Sequence, residues 1–264
     1  MLIGILQIPS IGMSSTKLYH YIRIAHNKNI ELLVLGEYLL NSFFKELETM
    51  SIDMIKEQSI HYIKILRELS TKYQLVIVAP LIVVKKKQPY KTVVRFSPNS
   101  TSYYYQQILI NYSHWNERKF FANYMPDILY YPLVFRINGL KFAIISGFEI
   151  HIDKIWLLIS KKNIDAVIMP CSSTFESASR WKSIAITRAI THNCYILRAN
   201  RIGEYMDGDY VWRFYGDSFV VDPNGEQINH LGNTEELMIE DISHLEVIKA
   251  RRVWGFRDLN KKYF

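Results

Sequence analysis

The chain alternates short apolar runs with longer stretches in which apolar residues recur every three to four positions. Residues 1–7 form an apolar run stopped by Pro9, and residues 30–35 form a second; both predict buried strands. Between them, Ser14 or Ser15 is placed to cap a helix running to about His26. From Ser51 a long amphipathic helix is predicted, because Ile52, Ile55, Ile60, Ile63, Leu66 and Leu69 fall near helical spacing with charges between them. Residues 75–80 predict a third strand. Residues 81–84 and 91–96 predict a strand pair around a turn at 85–89, and residues 102–110, rich in tyrosine and β-branched side chains, predict extended chain.

In the second half, residues 134–137 and 141–146 flank Asn138-Gly139, a strong hairpin signal. Helices are predicted over 155–162 and 180–192, and strands over Ala166–Pro170, 194–199 and 214–222, the last ending at the turn Pro223-Asn224-Gly225. Residues 236–242 predict a closing strand, and residues from Ser243 onward a charged helical tail. Strands alternate with helices, with hairpins added, which predicts an α/β architecture with mixed sheets. No linker or internal repeat interrupts residues 1–264, so a single domain is expected.

Composition changes this picture little. Hydrophobic residues make up 49% and charged residues 22% of 264, which supports a packed core and argues against disorder. The formal charge is +7, but the basic runs Lys85-Lys86-Lys87, Lys161-Lys162, Arg251-Arg252 and Lys261-Lys262 sit at element edges, as a solvated surface would. A nucleic-acid partner is therefore not expected. No window reaches the length of a membrane span, and the N-terminal run lacks a basic leader, so a cytoplasmic protein is expected. Cys171 and Cys194 form no disulfide framework, and His114, His151 and His192 are too dispersed for a metal site, so neither metal nor cofactor is expected.

Six segments then carry a resemblance: Leu32-Leu33-Val34-Leu35-Gly36-Glu37; His114-Trp115-Asn116-Glu117 with Phe120-Phe121; the strand before Gly147-Phe148-Glu149; Asp165 to Pro170; Trp181 through Arg188-Ala189 to Ala199-Asn200-Arg201-Ile202-Gly203; and Gly216-Asp217-Ser218 through Asn224-Gly225. In this order they resemble the nitrilase superfamily of carbon–nitrogen hydrolases. The resemblance implies an α-β-β-α sandwich and a homodimer, which the apolar helices at 155–159 and 184–190 would serve. It also implies a Glu–Lys–Cys triad, in which the cysteine attacks carbon, the glutamate is general base and the lysine stabilises the oxyanion.

Carried over residue by residue, Glu37 stands at the general-base position and Glu117 at that of a second glutamate. The lysine pattern Tyr-x-Lys-x-x-Leu reads Tyr104-Tyr105-Gln106-Gln107-Ile108-Leu109, placing Gln106 at the lysine position. The nucleophile group Cys-aromatic-acid reads Gly147-Phe148-Glu149, placing Gly147 at the cysteine position. Glycine cannot attack, and glutamine carries no charge, so Glu37 and Glu117 are expected to lack a cation. Ser146 is expected to point to the opposite face. Cys171 is expected to be an inert packed thiol, although it could reach the pocket rim, and Glu117, Phe148, Glu149 and Cys171 are the candidate pocket residues. Trp115, Trp181 and Tyr195 are expected in the core or pocket wall, and Arg188 is expected to pair with a carboxylate. Glu37 is either a buried polar remnant or part of a ligand site. The expected protein is a catalytically silent member that binds a small amide- or amine-type ligand or a partner. The alternative is an active amidohydrolase, cleaving C–N bonds other than peptide bonds, with a non-standard nucleophile.

Overall fold

In the computed structural model, which describes residues 1–263, the chain forms two six-stranded sheets packed face to face, each covered outside by helices. The first half runs β1 (Leu2–Gln7), α1 (Thr16–Asn27), β2 (Leu32–Leu35), α2 (Phe44–Leu47), α3 (Ile52–Tyr73), β3 (Val76–Lys85), β4 (Gln88–Ser97) and β5 (Ser100–Tyr105). The second runs β6 (Leu133–Ile137), β7 (Leu140–Ile144), α4 (Asp153–Lys161), β8 (Ala166–Pro170), α5 (Ala178–His192), β9 (Tyr195–Ala199), β10 (Ile202–Asp207), β11 (Tyr210–Tyr215), β12 (Phe219–Val221), β13 (Gln227–His230), β14 (Glu236–Asp241), α6 (His244–Trp254) and α7 (Phe256–Tyr263). Strand orders are β14-β1-β2-β3-β4-β5 and β13-β12-β9-β8-β7-β6. β14 thus returns the end of the chain to pair with its beginning, Leu2 opposite Asp241.

Alternation along the strands builds three apolar layers. Ile3, Ile5, Leu32, Val34 and Val78 of the first sheet meet Phe142, Ile144, Ile168 and Leu197 of the second between the sheets. Leu33, Leu35 and Ile77 face outward against Leu18, Ile22, Leu66 and Leu69 of α1 and α3. Ala143, Ile145 and Val167 face outward against Ile155, Trp156 and Ala185 of α4 and α5. Ser51 caps α3, accepting from the Met54 amide at 3.3 Å. The Asn138-Gly139 turn forms as predicted, both residues at positive φ.

Three departures have local causes. β3 runs unbroken through Pro80, since its pairing with the parallel neighbour β2 has already ended at Val34–Val78 and no proline N–H is missed there. Extended chain was predicted to 110, but β5 stops at Tyr105 because the Glu149 carboxylate accepts from the Gln107 amide at 2.7 Å and the Ile108 amide at 3.3 Å, drawing the chain out of the sheet. The single strand predicted over 214–222 is two, broken at Gly216 (φ 73°) and Asp217 (φ 60°). A Cβ at Gly216 would lie 2.6 Å from the Gly232 carbonyl. The β10–β11 ribbon was not predicted, although its two-residue Gly208-Asp209 turn carries a usual hairpin signal. Of the predicted basic tail, the Lys261 side chain lies outside the described residues.

Candidate functional site

At one end of the inter-sheet layer the structure gathers a wholly buried polar set. Glu37 follows β2, Lys91 comes from β4, Gln106 follows β5, Glu117 opens a short 3-10 turn, and Ser146 follows β7. Lys91 Nζ donates to Glu117 Oε1 at 2.6 Å and to Glu37 Oε2 at 3.3 Å. Tyr38 donates its hydroxyl to Glu117 Oε1 at 3.0 Å, and its ring lies 5.2 Å from Lys91 Nζ. Glu37 and Glu117 were expected to lack a cation, and here the structure corrects the sequence reading: Lys91 supplies one. It arrives from the strand beside Gln106, whose amide donates to the Lys91 carbonyl at 3.2 Å in the antiparallel ladder.

Ser146 requires a second correction. Ile144 faces inward, Ile145 outward, and the alternation turns Ser146 inward again. Its Oγ lies 2.7 Å from Glu37 Oε1 and 2.8 Å from Gln106 Oε1. Gln106 Nε2 donates to the Ile108 carbonyl at 2.6 Å, which fixes the amide with its oxygen toward Ser146. Gly147, next along the chain, faces Cys171. A Cβ built on Gly147 would lie 2.5 Å from Cys171 Cβ and 3.1 Å from the Pro170 carbonyl. Its φ is not positive, so space rather than backbone conformation is what excludes a side chain there.

Electrostatics follow from burial. Desolvation is the largest influence on Glu37 and raises its pKa; Glu117 adds to this, while Lys91 and the Ser146 hydroxyl oppose it. Burial alone would lower Lys91, but the two carboxylates outweigh it and hold its pKa above the usual lysine value. Burial pushes the Cys171 thiol up to about 11 and the Cys194 thiol up to about 12, so both are protonated, weak nucleophiles at neutral pH. Glu149 is fully enclosed, accepting from Tyr104, the Ser146 amide and the two loop amides already named. It shapes the 106–108 loop rather than facing a ligand.

The space beside Glu37 and Lys91 is about 10 Å³, too small for a substrate. An open cleft of about 420 Å³ lies nearby, walled by Tyr112, Trp115, Phe148, Phe175 and Trp181 and floored by residues 172–174. Of the four candidate pocket residues, only Phe148 reaches this cleft; Glu117, Glu149 and Cys171 are buried away from it. Trp115 and Trp181 are cleft wall, while Tyr195 belongs to the inter-sheet core. Arg188 pairs with Asp153 and donates to the Ile150 carbonyl at 3.2 Å. The sequence reading missed Lys91, which it had placed only as a strand residue beyond a turn; a lone lysine there carries no local signal. Among the described residues, no group of three or more His, Cys, Asp or Glu side chains is arranged to hold a metal ion, and no helix is long and apolar enough to cross a membrane.

Solved structures share this architecture. A carbon–nitrogen hydrolase from Helicobacter pylori G27 superposes with a TM-score of 0.84 at 20% identity, covering 97% of this chain and 94% of that one. The NitN amidase from Neterenkonia sp. AN1 superposes with a TM-score of 0.77 at 16% identity over 100% of both chains. In sequence, 131 residues are 23% identical to a 2-oxoglutaramate amidase of Bacillus subtilis (strain 168), spanning 49% of this chain and 49% of that protein, about half the relative's length. Residues 14–252 match the family model described as Carbon-nitrogen hydrolase. With an α-β-β-α sandwich and a family match over most of its length, the chain belongs to the carbon–nitrogen hydrolase family.

Proposed function

We propose that this chain is a ligand-binding member of the family that does not perform its cysteine-dependent hydrolysis. One observation carries the reading: the space a nucleophile side chain would need at Gly147 is filled by Cys171 Cβ, 2.5 Å from where a Cβ would stand. Proton placement supports it. Ser146 has one hydroxyl proton but faces two oxygens, Glu37 Oε1 and Gln106 Oε1. The set also holds two carboxylates and one ammonium, all buried. A single proton on Glu37 resolves both conditions: Glu37 then donates to Ser146, Ser146 donates to Gln106, and Lys91 and Glu117 form a neutral pair. A protonated Glu37 is no general base. The ligand-binding surface in this reading is the 420 Å³ cleft, a volume within the roughly 300–1,000 Å³ of small-molecule sites.

Purified protein is expected to release no ammonia above background from amides, carbamoyl amines or nitriles. Release that disappears in Glu37→Gln would overturn the proposal. The 2.7 Å Ser146–Glu37 contact favours one second reading, an amidohydrolase using Ser146 as nucleophile. In that case Ser146→Ala would abolish ammonia release, and mass spectrometry would find an acyl group on Ser146. Assembly is part of the proposal as well. Ile155, Trp156 and Ile159, expected to face a twin, are buried in their own chain. A two-fold pairing would use the half-buried 184–190 face of α5 with the exposed Val253, Trp254 and Leu259 of α6 and α7, of which α7 packs on α4 and α5. Sedimentation showing only monomer at micromolar concentration would exclude it.

A further inference from the structure

Whatever the cleft binds, we propose that the turn at residues 163–165 is a separate site for a phosphate monoester, met either as a free ester or as a lipid headgroup. β7 and β8 run parallel from this end of the second sheet toward Ser146 and Cys171 at the other, so the turn lies across the sheet from the Glu37 set. Basic side chains from five parts of the chain converge on it. Arg251 of α6 donates to the Ile164 carbonyl at 2.7 Å, and Arg257 of α7 donates to the same oxygen at 3.5 Å and to the Asn163 side chain. Lys141 of β7 donates to the carbonyl of Lys162, which follows α4. Arg136 of β6 stands directly opposite Lys141 in the β6–β7 ladder, a like-charge pair that opposes strand pairing. Two basic runs far apart in sequence, Lys161-Lys162 and Arg251-Arg252, thus meet at one turn.

The charges at this turn are not balanced from within. Among the described residues, Arg251 is the one of the five that pairs with a carboxylate, Asp165 at 2.8 Å, which His244 Nδ1 also approaches at 3.4 Å. The others rest on neutral groups: Arg136 on the Gly139 carbonyl at 3.4 Å, Lys162 over the Tyr131 ring at 4.2 Å, and Lys141 and Arg257 as above. Asp258 is the second carboxylate within range of Arg257. Five cations facing two carboxylates leave an excess that a monoanion does not cancel. Arg257 is 5% exposed and Lys141 half-buried, so solvent screens the repulsion incompletely. Burial, then Arg136 and Lys162, lower the Lys141 pKa, while Asp165 opposes them; burial, then Arg251, lower that of Arg257 to about 10. Arg136 and Lys162 are exposed, which opens the cluster to solvent. A phosphate monoester brings close to two negative charges and three acceptor oxygens, and guanidinium forks match that geometry.

Calorimetric titration of the full chain at fixed ionic strength tests this, with glycerol 3-phosphate against dimethyl phosphate and acetate. Glycerol 3-phosphate is expected to bind saturably and at least about tenfold more tightly than either monoanion. The double variant Arg136→Gln, Lys162→Gln, which changes exposed positions, is expected to weaken it by about tenfold. Lys64→Gln, on α3 across the molecule, is expected to leave it unchanged, with thermal unfolding reporting that both variants are folded. Flotation with phosphatidylcholine vesicles, with and without phosphatidic acid, separates the two sources. Retention on phosphatidic acid that glycerol 3-phosphate displaces assigns the headgroup, and no retention assigns the free ester. Equal binding of dimethyl phosphate, vesicle binding that glycerol 3-phosphate does not displace, or full binding by the folded double variant reduces the cluster to diffuse surface charge and overturns the proposal. So does the absence of glycerol 3-phosphate binding. None of these results bears on ammonia release, so this site and the non-hydrolytic reading fail separately.

Discussion

Consider adding back the one atom that Gly147 lacks. In Gly147→Ala the new Cβ meets Cys171 Cβ at 2.5 Å, with the Cys171 Cα at 3.2 Å and the Pro170 carbonyl at 3.1 Å. Carbon atoms in contact prefer about 3.5–4.0 Å, so the chain following β7 or the end of β8 must shift by roughly 1 Å. Overpacking of this kind costs about 1–3 kcal/mol, and in a protein of this size each kcal/mol lowers the melting temperature by about 2–4 °C. Because the obstacle is a Cβ, the identity of the second substitution decides the outcome. Cys171→Ala keeps that atom and is expected to give no relief. Cys171→Gly removes it, and the double variant is expected to recover on the order of 1–3 kcal/mol relative to the sum of the singles, less whatever the Pro170 carbonyl still resists. Urea unfolding of the four proteins in each cycle measures this. Equal relief from alanine and glycine, or a Gly147→Ala variant as stable as the parent, would refute the steric argument.

Three further outcomes follow from the buried set and from α5. Lys91→Met leaves the buried Glu117 carboxylate without its cation, beside a protonated Glu37, and is expected to cost about 3–5 kcal/mol at pH 7 in chemical denaturation. A protonated carboxyl needs no cation, so that loss is smallest in acid and grows as pH rises; a loss independent of pH would count against it. Glu37→Gln replaces a group already neutral in this reading and is expected to stay within about 1 kcal/mol of the parent, while Glu117→Gln, which removes the closer partner of Lys91, costs more; the reverse order would place the proton on Glu117. His192, buried and 2.7 Å from Ser160 Oγ, has its pKa lowered from 6.5 to about 4 by burial first and Arg188 second. A lowered base is protonated first in the unfolded chain, so stability is full above about pH 6.5 and falls between there and about 4, by on the order of 2–3 kcal/mol. His192→Asn is expected to flatten that slope in thermal unfolding followed across the range.

The layers of this fold were legible because they follow from local periodicity. The residue alternation of β1, β2 and β7 and the helical spacing from Ile52 to Leu69 each state which face is apolar, and the Asn138-Gly139 turn states where one strand reverses. What was not legible depended on cross-strand register. Lys91 and Gln106 become neighbours only once β4 and β5 pair with Thr92 opposite Tyr105. Resemblance to a motif could propose Gln106 for the lysine position. It could not say that the adjacent strand had supplied a lysine of its own. Ser146 was misjudged differently: alternation was counted from Gly147, whereas the inward face is set by Ile144, two residues earlier.

These two corrections change what the replacements read from the resemblance would mean. A glutamine at position 106 and a glycine at position 147 looked like two correlated losses that would leave a pair of repelling carboxylates in a pocket. With Lys91 in place, the same residues form a closed, hydrogen-bonded set that carries no net charge once Glu37 is protonated. Gln106 has a function there that a lysine could not fill, since an ammonium has no oxygen to accept the Ser146 proton. Restoring lysine at position 106 would therefore place a second cation beside Lys91 and strand the serine, instead of rebuilding a catalytic centre. Gln106→Lys is expected to destabilise the folded protein, by about 3–5 kcal/mol if its charge stays buried and unpaired. Adding Lys91→Gln should recover much of that loss, because it returns the set to one cation. A Gln106→Lys variant as stable as the parent, with Lys91 intact, would show that the pocket still has room and water for a second charge, and the closed-set reading would fail.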